Sequence, residues 1–240
     1  KLPGRPAGSP SWPALTPGQA AFAARTMEVA AAQLAFQDEQ LGRVLDELDR
    51  MGLTDTTLVA LIAGDNGASA EAGPPGTINE MRGMGHVGEG EGDAWLQANT
   101  DRLGGPMTYE SYPAGFSWAM NTPLRWTKQF ASMLGGIRNG MILSWPGHVS
   151  KPGSVCPQFS HLIDIAPTVL DAAHLPAPKM VQGVPQKPID GESLLPSLLA
   201  CDAAHPRTQY FEIGGKVGLY HNGWFLSGDD GRPSWQNLPP

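Results

Sequence analysis

The spacing of apolar positions divides the 240-residue chain into a few readable stretches separated by long polar ones. Met27, Leu34, Leu41, Leu45 and Leu48 recur at helical spacing, with acids and arginines between them. Thr16 is placed to cap this helix, Pro17 suits its first position, and Gly52 suits its end, so the pattern predicts one long helix to Arg50. Residues 56–63, "TTLVALIA", form a short unbroken apolar run, the signature of a strand buried on both faces of a parallel sheet. A second strand is predicted at 140–144, closed by Pro146 and Gly147. "HLIDIAPTVLDAAHL" then starts a helix near Asp164 or Ile165, with Pro167 in its first turn. After about residue 206 the pattern changes. "TQYFEIGGKVGLYHNGWFLSG" alternates apolar and polar residues around Gly-Gly and Asn-Gly turns, which predicts an antiparallel meander. The fold class expected is α/β: a mostly parallel sheet flanked by helices, with a small antiparallel β element at the C-terminus. The boundary falls between 1–205 and 206–240.

Composition changes this picture in few places. Thirty glycines and 23 prolines imply long loops, where binding and catalysis concentrate. The stretch "GPPGTINEMRGMGHVGEGEG" reads as a binding loop or lid, or as partly disordered, and it lacks the pattern of a phosphate loop. A net charge of -7 gives no general affinity for nucleic acid. No apolar run reaches the roughly 20 residues of a membrane span. Cys156 and Cys201 lie far apart, show no C-x-x-C spacing, and are read as two unpaired structural thiols. The first 15 residues have loop composition and no initiator Met, as if the chain were entered mid-protein.

Candidate chemistry begins where the first strand ends, at "AGDNG". Asp65 and Asn66 put two oxygen-bearing side chains at the carboxyl end of a strand, where α/β folds bind ligands. Hard cations prefer such oxygens. An Asp-Asn-Gly turn explains the same residues, so residue type leaves both readings open. In "NTPLRWTKQ", Asn121, Arg125 and Lys128 precede a glycine pair. Lys128 is either a contact for an anionic substrate oxygen or a solvated surface lysine. Asp38 and Arg43 belong with the polar helix face. The histidines, at 86, 148, 161, 174, 205 and 221, show no zinc spacing, although His161 lies within reach of Asp164. No G-x-S-x-G elbow is present.

Taken in order, several segments resemble the C-terminal half of the type I sulfatases, within the alkaline-phosphatase-like superfamily. They are "MEVAAAQLAFQDEQLGRVLDEL", "TLVALIAGDNGASAEAGPPGTINEM", "LGGPMTYESYPAGFSWAMNTPLRWTKQ", "GGIRNGMILSWPG", "HLIDIAPTVLDAA" and "IDGESLLPSL". "TQYFEIGGKVGLYHNGW" is similar to the segment after the main domain in bacterial arylsulfatases. The resemblance implies that residues 1–205 are the C-terminal half of the catalytic domain and that 206–240 begin a small β subdomain. It also implies that Asp65 and Asn66 supply two ligands to a calcium, or in some members a magnesium. Lys128 is then the lysine that contacts the sulfate group.

One departure bears on activity. The family's nucleophile is a formylglycine made from a C-x-P-x-R motif, and neither Cys156 nor Cys201 lies in one. The nucleophile, further carboxylate ligands, the catalytic histidines and a second sulfate-binding lysine are expected in a missing N-terminal half, so this chain alone should be inactive. The expected parent is an arylsulfatase acting on a small sulfate ester. Alternatives are a phosphonate or phosphate ester hydrolase of the same superfamily, and a non-catalytic module or pseudoenzyme. The compartment is not readable beyond a bacterial cytoplasm or periplasm.

Overall fold

The computed structural model describes residues 2, 4–5, 8–81, 92–201, 205–229 and 232–237. Helix α1 spans Pro17–Arg50, as the sequence predicts. Its start is a capping box: the Thr16 hydroxyl accepts from the Gln19 amide at 3.3 Å, and the Gln19 side chain accepts from the Thr16 amide at 2.9 Å. Its end is marked by Gly52, which takes a φ of 67°. Only the first part of α1 is buried, through Phe22, Ala23 and Thr26. Phe22 joins Ile78, Leu96 and Leu103 in a small core, flanked by Val29 and Trp95. Leu96 and Trp95 come from helix α2, Asp93–Ala98. Further along α1, Leu34, Leu41 and Leu45 are exposed. The α/β expectation places helices against the sheet; α1 instead packs chiefly on α2 and on short turns at 54–56 and 100–102. A periodic stripe says which face seeks cover, not which element supplies it.

Both predicted strands exist, as β1 (Val59–Ile62) and β2 (Met141–Ser144), but they pair antiparallel, with Val59 opposite Ser144 and Ile62 opposite Met141. No parallel sheet occurs among the described residues. The strands are half-buried, with Ala60 and Ile142 exposed, rather than covered on both faces. An apolar run establishes that a strand forms, but the direction of its partner is set by the connection between them.

The rest is built of short elements. Helices α3 (Ala114–Asn121), α4 (Leu134–Ile137), α5 (Ile165–Ala172) and α6 (Leu195–Leu199) are joined by loops. A small hairpin, β3 (Met180–Val181) with β4 (Val184–Pro185), lies between the last two. The expected C-terminal meander is β5 (Thr208–Ile213), β6 (Lys216–His221), β7 (Trp224–Asp229) and β8 (Arg232–Asn237), paired in that order. Gly214–Gly215 and Asn222–Gly223 make its first two turns, all four with positive φ, as two-residue hairpins require. Half of the loop read as a binding loop or lid, residues 82–91 with His86, lies outside the described residues.

The meander is fastened to the body by a buried ion pair. The Arg207 guanidinium donates to Asp164 Oδ1 at 2.9 Å, with both side chains almost fully buried. Asp164 also accepts from the amides of His161 (2.8 Å) and Glu192 (2.9 Å), so its charge is well satisfied. Beside it Phe159 stacks on Tyr220 at 4.1 Å and meets Phe211 edge-on.

Cys156 and Cys201 form a disulfide, with Cα atoms 5.5 Å apart, which corrects the reading of two unpaired thiols. The fold brings together residues 45 positions apart, and linear spacing carries no trace of that. Chain-entropy arguments assign a closed loop of this size about 4 kcal/mol at most. Reduction, or replacement of both cysteines by serine, should therefore lower stability by about 2–4 kcal/mol. The reading is a lower urea midpoint; an unchanged midpoint under reducing conditions would show that the bridge contributes nothing.

Candidate active site

The site is assembled by backbone contact between the segment leaving β1 and the loop 121–136. The Ala63 amide donates to the Gly140 carbonyl at 3.1 Å, and Gly64, with a φ of 89°, turns the chain outward. Asp65 and Asn66 follow. The Gly67 amide then donates to Gly136 O at 3.0 Å, and the Lys128 amide to Ala68 O at 3.1 Å. Asn121 fastens this junction from one side. Its Oδ1 accepts from the Ala68 amide at 3.1 Å, while its Nδ2 donates to the carbonyls of Trp126 and Gly135, both at 2.9 Å. The approach is too close for a side chain on Gly67, whose Cβ would collide with Gly135 O; within the loop itself, a Cβ on Gly135 would collide with the carbonyls of Arg125 and Trp126. Trp126 and Gln129 take positive φ values of 67° and 76°, a conformation bulky residues avoid unless their surroundings impose it.

Asp65, Asn66 and Lys128 line one cavity of about 360 Å³. His161 and residues 210–213 of β5 complete the wall. Asn66 Nδ2 donates to Asp65 Oδ1 at 2.6 Å, which holds the two side chains together. The Lys128 ammonium donates to Glu71 Oε2 at 2.7 Å. Glu71 holds the Lys128 ammonium protonated above its ordinary range, against the opposing effect of burial. Reciprocally, Lys128 holds the Glu71 carboxyl below its ordinary range, with burial opposing and Ser69 and Gln129 assisting. Glu71 therefore contributes stability above about pH 4.3, which is lost as pH falls through its depressed pKa. Lys128 contributes below about pH 10.4, and that is lost as pH rises through its elevated pKa. Between these limits the pair is fully charged. Burial lowers the proton affinity of His161, whose Nδ1 accepts from the Ile163 amide at 3.2 Å.

Whether Asp65 and Asn66 suit a cation follows from their donor set. One carboxylate and one carboxamide at a fixed strand end are hard oxygen donors, and both face the cavity. They fit a calcium or magnesium ion as part of a shell. Calcium takes about six to eight oxygens, and among the described residues no group of three or more acidic, histidine or cysteine side chains is placed to hold a metal.

Other residues singled out in the sequence have different places. Asn121 is the fastener just described, Arg125 is exposed, and Arg43 pairs with Gln40 on the polar face of α1. Asp164 meets the His161 backbone rather than its ring. Glu71, Gln129 and the β5 residues carried no signal, because nothing in local pattern tells which distant segments meet. A larger hollow of about 530 Å³, lined by Trp12, Phe22, Phe116 and Trp118, contains none of the candidate residues.

A model of the sulfatase family matches residues 7–175. The chain is 32% identical over 171 residues to an uncharacterized sulfatase of Schizosaccharomyces pombe, covering 71% of this chain and 29% of that protein. It is 28% identical over 185 residues to an arylsulfatase of Klebsiella aerogenes, covering 76% of this chain and 37% of that protein. The chain belongs to the sulfatase family, and with it to the alkaline-phosphatase-like α/β class. The matched part spans about a third of the length of these relatives.

The junction can be tested through its glycines. Gly67→Ala, whose Cβ would run into the Gly135 carbonyl, should cost about 3 kcal/mol or more, because a backbone carbonyl cannot yield as a side chain does. Gly140→Ala, where a Cβ meets nothing within 4 Å, should leave stability unchanged or slightly higher. Equal urea midpoints for the two variants would show that the close approach is not required.

Proposed function

We propose that this chain is the C-terminal part of an enzyme that hydrolyses sulfate esters, of the arylsulfatase type. Residues 1–205 form half of its catalytic domain and 206–240 begin its small β subdomain. The observation that carries the reading is the convergence of Asp65, Asn66 and Lys128 on one cavity in a member of the sulfatase family.

The chemistry assigns each a task. In sulfate ester hydrolysis the bond from sulfur to the leaving oxygen breaks, and charge spreads over the sulfuryl oxygens. Lys128 donates a charged hydrogen bond to one of those oxygens, an interaction that strengthens as their charge grows. Asp65 and Asn66 give two oxygens to a calcium or magnesium ion. When bound, that ion supplies further positive charge at the ester oxygens. The formylglycine nucleophile and the remaining carboxylate ligands belong to the N-terminal half of the same protein. That half also covers the exposed apolar stripe of α1 and the free edges of β1 and β2. The Cys156–Cys201 bridge supports maturation in an oxidising compartment, the periplasm for a bacterial enzyme.

In the full-length protein, Asp65→Ala should remove most turnover of 4-nitrophenyl sulfate and much of the bound divalent metal. Lys128→Ala should leave metal content intact and lower kcat/KM by ~10²-fold or more. Metal analysis and steady-state kinetics on the two variants check this. Full metal and full rate in Asp65→Ala would reduce "AGDNG" to a turn. Preferential turnover of a phosphonate monoester would move the substrate class while leaving the site standing.

A further inference from the structure

Lys128 is held by more than its own backbone. Lysine is a compact charge on a flexible stem, with roughly 2 kcal/mol of rotamer entropy to lose before it can act from one place. Here its amide is fixed to Ala68 O at 3.1 Å and its ammonium to Glu71 Oε2 at 2.7 Å. Both anchors come from the segment that follows Asp65 and Asn66. Glu71 is in turn immobilised. Its Oε1 accepts from Gln129 Nε2 at 2.6 Å, its Oε2 from the Ser69 hydroxyl at 3.0 Å, and its amide donates to the same hydroxyl at 3.3 Å. The Glu71 side chain is 18% exposed against 33% for Lys128, so the carboxylate is the deeper and better-fixed member. A surface pair made only for stability has no need of three donors on one carboxylate.

We propose that Glu71 is a positioning residue, which holds the Lys128 ammonium at a fixed place on the cavity wall for contact with an anionic ester oxygen. The inference rests on the reading of Lys128 as a substrate contact. Glu71 does not touch the substrate. Lys128 has three N–H donors, so one serves Glu71 while others remain for the ester. The acids that act electrostatically on Lys128 are Glu71 first, then Glu80 and Asp65, so removing the Glu71 charge leaves a weaker acidic surround.

The test uses the full-length protein with Glu71→Gln, Lys128→Ala and the double variant. Glu71→Gln preserves shape and removes the charge. Expected is a loss in kcat/KM for 4-nitrophenyl sulfate of roughly tenfold, carried more by kcat than by KM, with unchanged metal content. In the Lys128→Ala background the same substitution should have no further effect, because the two act as a unit. A second reading is independent of turnover. Trace acylation of Lys128 by acetic anhydride, followed against pH by peptide mass spectrometry, should show a lower apparent pKa and faster reaction at neutral pH in Glu71→Gln. Additive losses in the kinetic cycle, or an unchanged Lys128 acylation profile, would each overturn the proposal. If Lys128→Ala leaves turnover intact but the acylation profile shifts, the substrate role of Lys128 fails and Glu71 is only its ion-pair partner, which also overturns it.

Discussion

The site depends on one close approach of two stretches of backbone. Gly67 lies against Gly135 with no room for a side chain of its own, and Asn121 ties the two stretches through one hydrogen bond to Ala68 and two within its own loop. Everything chemical follows from that contact. It sets the end of β1 beside the loop that carries Lys128, so a carboxylate, a carboxamide and an ammonium face one space. Without it, Asp65 and Asn66 would not share a cavity with Lys128. Trp126 and Gln129 take positive φ within this loop.

A second constraint closes the cavity from the other side. The buried Asp164–Arg207 pair ties the start of α5 to the strand that enters the meander. Removing either partner alone would strand a buried charge, which is costly in a way that replacing both is not. Through this pair and the Phe159 stack, β5 is carried onto the cavity wall, which residues 210–213 line together with Lys128 and Gln129. Lys216 on β6 reinforces the docking, its ammonium 3.9 Å above the Phe130 ring. The C-terminal meander thus contributes to the wall of the candidate cavity.

What the sequence revealed and what it hid divide along a physical line. Features fixed by local chemistry were legible: the Thr16 cap and Gly52 stop of α1, the strand at Val59–Ile62, the Gly-Gly and Asn-Gly turns, and the oxygen pair at the strand end. Features fixed by tertiary contact were not. The antiparallel direction of β2 depends on the path of the intervening chain, and the Cys156–Cys201 bridge on the approach of distant loops. Glu71 reads as an ordinary loop acid until Lys128, 57 residues later, is seen against it. The exposed leucines of α1 are a middle case. Their spacing sets a helix, but among the described residues they stand exposed, so the pattern does not say what they pack against.

The arrangement also concentrates two tasks in one short segment. Residues 65–71 present the oxygen donors at one end and the carboxylate that grips Lys128 at the other. Loops are normally the mobile part of a fold, yet this one is pinned at Gly67, at both polar atoms of the Ala68 backbone, and at Ser69, whose carbonyl accepts from the Ser117 hydroxyl. Electrostatic stabilisation of a reacting anion is effective only when the charges are in place before the charge develops. An oxygen pair and a lysine fixed independently would have a separation that fluctuates with both. Here Lys128 comes from another loop but is gripped by Glu71 and Ala68 of the same pinned segment, so the oxygen pair and the ammonium keep a common frame.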